Sequence, residues 1–166
     1  PLRAAILTFL RASHYDLIDK RKAAVTFAEA RRLADALPEP DAWLAAAACH
    51  DELFAPLDRG VRIALVARSA PARMLVWEAG DAGVDARIEP FAGYAASAAD
   101  IVLAADDESL SDVRRAAAGR LFEVLRAGIR SGHVVCYMLK RRCVLEERGL
   151  DELLDALGFA FMGACR

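Results

Sequence analysis

The chain is poor in the residues that build metal and redox centres: 166 residues hold three histidines and four cysteines, with no Cys-x-x-Cys pair. His14, His50 and His133 are too few and too scattered for a histidine-rich metal site. Cys49, Cys136, Cys143 and Cys165 do not suggest a disulfide framework in a chain of this size and intracellular character. Long apolar runs are also missing; none approaches the roughly 18 residues a membrane span needs. Neither sign of charge dominates: 22 Lys and Arg face 24 Asp and Glu, a net charge of -2. No general basic field therefore favours nucleic acid. The clusters "KRK" (Lys20 to Lys22) and "KRR" (Lys140 to Arg142) read as solvated surface. The opening "PLRAAILTFLRAS" has no small-residue cleavage site, and Arg11 interrupts it. The expectation is a cytoplasmic protein without membrane attachment.

What is present is apolar. Hydrophobic residues make up 56% and charged residues 28%, enough to bury a core and to exclude disorder. In "LRAAILTFLRA" the spacing predicts a helix. "TFAEARRLADALP" carries Thr26 and Glu29 at capping-box spacing and is stopped by Pro38. Residues 1–40 are thus expected to be a helical segment, and residues 41–166 an α/β domain. Strands are predicted at Val61–Ser69, Val84–Phe91, Ala99–Asp106, "HVVCYML" and "FAFMGAC". Helices are predicted at "APARMLVWEAGDAG", ended by Gly80 or Gly83, and at "SLSDVRRAAAGRLFEVLRAGIRSG", with Ser111 as N-cap. "GLDELLDALG" is predicted to form a further helix. Such alternation implies a doubly wound, Rossmann-like parallel sheet in three α/β/α layers, with ligands beyond the carboxyl ends of the strands.

One stretch concentrates reactive residue types: "LAAAACHDELFAPL", with Cys49, His50, Asp51 and Glu52 in succession. Four consecutive side chains do not converge on one ion. Helical neighbours point about 100° apart, and strand neighbours alternate faces. The positions four beyond Cys49 and His50 are Leu53 and Phe54, not ligands. Adjacent Cys49 and His50 also make a poor nucleophile–base pair. A metal is not expected. Cys136 reads as a small buried hydrophobe, and Cys143, beside Lys140 to Arg142, as an exposed thiol; a sulfur-relay role for either is a minor alternative.

Residues 44–162 resemble class I S-adenosylmethionine-dependent methyltransferases in order and spacing. "LAAAACHDELFAPLDRGVRIALVARSAPARML" is similar to the family's strand, D-x-G-x-G-x-G loop, helix and second strand. The family's acid and three glycines fall on Ala46, Ala48, His50 and Glu52, and its ribose-binding acid falls on Ala67. "GVDARIEPFAGY" resembles the third strand, with Gly93 near the family's Gly-Asp pair, and "AADIVLAADDES" looks like the fourth, ending at Asp106. The resemblance implies a methyltransferase-like fold whose cofactor cleft is degenerate. Glu52 would face the cofactor's carboxylate, and Ala67 cannot accept hydrogen bonds from ribose hydroxyls. Two or three such losses, at about 1.5–3 kcal/mol each, weaken binding by roughly a thousandfold or more.

The expected function is therefore a methyltransferase-like protein that has lost S-adenosylmethionine and serves as a non-catalytic partner or scaffold, or binds another small ligand. No cofactor is expected. The alternative is a divergent, active small-molecule methyltransferase using S-adenosylmethionine, with Tyr94, Asp106 and Asp107 around its pocket. A protein partner, or a homodimer through the N-terminal helices, fits the first reading. "VTFAEARRLADALPEPDAWLAAAA" also loosely resembles a helix-turn-helix, but its second helix begins "PEPDAW" and runs on into Asp51 and Glu52. An acidic helix is ill suited to phosphates, so nucleic acid is not expected.

Overall fold

The structure, a computed structural model, describes residues 37–159. Helix α1 spans Pro40–Cys49 and a single turn, α2, spans Asp51–Phe54. The strands are β1 (Arg62–Ala67), β2 (Arg73–Gly80), β3 (Gly83–Pro90), β4 (Ile101–Ala105) and β5 (Val134–Met138). Between β4 and β5 lie α3 (Asp107–Arg115) and α4 (Leu121–Ser131); α5 (Arg142–Glu147) and α6 (Asp151–Ala156) follow. The fold is α/β: a five-stranded open sheet in the order β3-β2-β1-β4-β5, with helices. The helices expected within residues 1–36 and the last strand of "FAFMGAC" lie, but for Phe159, outside the described residues.

The sheet is mixed, which corrects the expectation of a parallel one. Only β1 and β4 run parallel among the described strands; β1–β2, β2–β3 and β4–β5 are antiparallel. For β1–β2 and β2–β3 the cause lies in residues 70–83, expected as a helix and found as strand β2 turning into β3. Met74, Leu75, Val76 and Trp77 are all buried, as in a strand covered on both faces, and β-branched and aromatic side chains suit that setting. Gly80 and Gly83 pair across a two-residue turn at Asp81 and Ala82. A Cβ on Gly80 would sit 3.3 Å from the Gly83 carbonyl, and Gly83 has φ +116°. These glycines close a hairpin rather than stop a helix.

One face of the sheet carries Ile63, Leu65, Leu75, Trp77, Ile101 and Leu103 in the main core. Every described helix contributes to that core: Trp43 from α1, Phe54 from α2, Leu110 from α3, Leu125 from α4, Leu145 from α5 and Leu153 from α6. At its centre the indoles of Trp43 and Trp77 stack at 3.9 Å, and Trp77 Nε1 donates to the Trp43 carbonyl at 2.8 Å. The ring of Phe54 meets Trp77 edge-on at 4.9 Å. The opposite face holds a smaller cluster of Ala64, Val66, Met74, Val76, Val102 and Ala104, against which Phe91 and Tyr94 pack. Among the described residues, then, the helices form one layer on one face of the sheet, not the two layers of a doubly wound fold.

Candidate functional site at the strand ends

Strands β1 and β4 lie side by side and point the same way, yet the chain leaves them in opposite directions. After β1 it turns to β2 on one side; after β4 it passes through α3 and α4 to β5 on the other. Adjacent parallel strands whose connections diverge leave a crevice at their carboxyl ends, where open α/β sheets hold ligands.

The residues at this crevice are polar. Pairing continues one step past each strand: Arg68 N–H donates to the Ala105 carbonyl at 2.8 Å, and Asp106 N–H to the His133 carbonyl at 3.1 Å. Three segments thereby meet: Arg68 and Ser69 after β1, Asp106 and Asp107 after β4, and His133 just before β5. Gly132, with φ +80°, ends α4 in the left-handed conformation and delivers His133 to this end of the sheet. Gly128 lets α4 lie close to β5, because a Cβ there would come within 2.6 Å of Val134 Cγ2.

Side chains then link the segments. Asp106 is the N-cap of α3: its Oδ1 accepts from Ser109 N–H at 2.9 Å, the bond for which aspartate is favoured there. Its other oxygen, Oδ2, pairs with His133 Nδ1 at 2.6 Å. Ser69 Oγ donates to Asp107 Oδ1 at 2.7 Å, and Arg68 Nη1 donates to the Gly132 carbonyl at 3.2 Å. The Ser109 amide, followed by the His133 bond, holds the Asp106 carboxyl below the usual carboxylate range. The hydrogen bond and charge of Asp106 raise the His133 imidazole above its ordinary value; Glu108 adds to the rise and Arg68 opposes it. The pair is open to solvent, with side-chain exposures of 32% for Asp106 and 50% for His133. A carboxylate on Nδ1 fixes the ring orientation and leaves Nε2 as the working nitrogen, the arrangement used to position a proton-handling histidine.

The positions expected from the resemblance are only partly united here. Ala67 ends β1 and pairs in register with Ala105, so it and Asp106 belong to the same crevice. Gly93, with φ +95°, precedes a short 3-10 turn at Tyr94–Ala96, where Arg68 lies close enough to lower the phenol's titration against burial and Tyr137, which together raise it. Ala46, Ala48, His50 and Glu52 do not form a loop after a strand. Ala46 is buried on α1, Ala48 is exposed on it, His50 joins α1 to α2, and Glu52 is exposed on α2. His50 Nε2 lies 3.2 Å from the Gly119 carbonyl and its ring meets Phe122 edge-on at 5.0 Å, so it ties the helix junction to the α4 start. That segment is helical because Pro40 takes the first helical position and the alanines favour helix. The residues that complete the crevice beyond Asp106, namely Arg68, Ser69 and His133, carried a signal in the sequence. Each directly flanks an apolar strand.

No group of three or more His, Cys, Asp or Glu among the described residues is arranged to hold a metal ion. No described helix is long and apolar enough to cross a membrane. Burial pushes the Cys136 thiol up to about 12, which makes it a poor thiolate for sulfur transfer. The chain matches no family model and no curated protein.

Proposed function

We propose that this domain binds a small polar molecule at the carboxyl ends of β1 and β4, with the His133–Asp106 pair as its polar centre, and that it does not use S-adenosylmethionine. The observation carrying this reading is the junction of three chain segments, through Ser69–Asp107, Arg68–Gly132 and His133–Asp106, where the connections from two parallel strands diverge. Structural cross-links alone need no exposed, oriented imidazole. The loss of the methyl donor is supported by Ala67, whose methyl group cannot bind ribose hydroxyls, and by the helix in place of the glycine loop. The protein would then act as a ligand-binding, non-methylating domain, alone or as a partner subunit.

The divergent-methyltransferase reading draws its support from Asp106 and Asp107, which do stand at a strand end. Calorimetric titration with S-adenosylmethionine and with S-adenosylhomocysteine separates the two. The ligand-binding reading expects no saturable heat up to about 1 mM, weaker than a micromolar site by a thousandfold. Micromolar binding would contradict it and favour the enzyme.

A further inference from the structure

Beside the His133–Asp106 pair, a groove of about 460 Å³ runs between α3 and α4. Its floor is apolar, made by Val124, Ala127 and Gly128. Its polar wall carries Glu108, Asp112, Ser131 and His133. The cation on this wall, Arg115, is engaged: Nη2 donates to Asp112 Oδ1 at 2.8 Å and Nε to the Ser111 carbonyl at 3.2 Å. The Ser131 hydroxyl donates to the Gly128 carbonyl at 3.1 Å, which leaves its oxygen free to accept. With His133 Nδ1 taken by Asp106, Nε2 is the ring nitrogen left for a ligand, a donor on the protonated ring and an acceptor on the neutral one. The Glu108 carboxylate is exposed at the start of α3.

On this wall the carboxylate outside the Arg115–Asp112 and His133–Asp106 pairs is that of Glu108. We infer that the groove takes a hydroxylated amine with an apolar flank: the flank on Val124 and Ala127, the ammonium at Glu108, and a hydroxyl at His133 Nε2. The inference rests on the strand-end ligand site proposed above and names the chemistry of its ligand. An anionic ligand is disfavoured, because Asp112 and Arg115 are paired with each other, Asp106 is paired with His133, and the carboxylate left on the wall is that of Glu108.

Three probes with one ring and different ends test this on the full chain: tyramine, phenethylamine and 4-hydroxyphenylacetate, each titrated against backbone and imidazole NMR resonances. Tyramine is expected to bind tightest, about tenfold better than phenethylamine and at least tenfold better than 4-hydroxyphenylacetate, as each lacks one charge-assisted or hydrogen-bonded end. The shifts should fall on Glu108, Ala127, Ser131 and His133. Glu108→Gln, a surface change that leaves folding intact, should cost both amines about tenfold and leave the acid's binding no weaker. Equal or tighter binding of 4-hydroxyphenylacetate, an unchanged tyramine affinity in Glu108→Gln, or no shift at these residues up to about 10 mM would each overturn the inference. An anion binding at Arg68, Ser69 and His133 would sink the amine alone. Silence of those same resonances toward a broad set of small fragments would sink the strand-end site as well.

Discussion

Strand β4 has an aspartate at each end, and the two live in opposite surroundings. Asp100, just before the strand, is 1% exposed. Its Oδ2 accepts from Arg62 N–H at 2.8 Å, and its Oδ1 accepts from the Arg148 guanidinium. Its backbone is tied as well, through the Arg62 carbonyl on β1 and the Leu139 amide after β5. Asp106, just after the strand, also holds a backbone amide and an imidazole partner, but both it and His133 reach water. The same residue type closes the fold at one end and offers a titratable, addressable group at the other. Burial decides which. A carboxylate sealed with its partners is costly to disturb and can exchange no proton with a ligand, whereas one at a solvent-open strand end can.

Substitution should expose that contrast most strongly at the sealed end. Asp100→Ala leaves the Arg148 charge and the Arg62 amide without their acceptor, and is expected to cost about 3–5 kcal/mol in urea unfolding. Asp106→Ala loses a helix cap and an exposed pair, so its expected cost is about 1 kcal/mol. A loss at Asp106 equal to that at Asp100 would break the comparison. The Asp106 change should have a second effect that Asp100→Ala lacks: the His133 imidazole should return toward its ordinary value, read by NMR.

The pH dependence has a definite sign at the open end. The raised His133 contributes stability that is fully present below its unfolded value of 6.5 and is lost as pH rises through its folded value. The lowered Asp106 contributes stability present above 3.8 and lost as pH falls through its folded value. Wild-type stability relative to His133→Asn should therefore be greatest between these values and shrink toward pH 8. A smaller effect concerns the middle of β5, where Cys136 pairs in register with Leu103. With its thiol pushed up to about 12, Cys136 should resist neutral-pH labelling in the folded protein, while Cys49, exposed, reacts first among the described cysteines.

Much of this frame was legible in the sequence, and the misreadings have physical causes. β1, β3, β4 and β5 were each recognisable as short apolar or β-branched runs between glycines and charges. β2 was missed because "MLVW" is apolar without a gap, and periodicity cannot separate a doubly covered strand from a buried helix. Length and the flanking Gly80 and Gly83 held the answer, since two glycines around two residues mark a hairpin. That misreading hid the antiparallel β1–β2–β3 half of the sheet; the antiparallel β5 is a separate departure from the parallel expectation. The long helix after β4 is in fact two, separated around Ala116–Arg120, and its N-cap is Asp106 rather than Ser111. Asp106 was identified from its strand-end position. His133 was not joined to it, because 27 residues separate them and only the antiparallel return of β5 brings them together. The "CHDE" stretch drew attention by composition, yet it forms a helix junction.

The most direct test of the account is a map of where small fragments act on the full chain, read from backbone amide shifts with the Asp100 end of β4 as the internal reference. The account predicts perturbations concentrated at Arg68, Ser69, Asp106, Asp107 and His133, weakened by Asp106→Asn, with the amides around Asp100 and Arg148 unmoved. Perturbations that gather elsewhere, or that persist unchanged in Asp106→Asn, would contradict it.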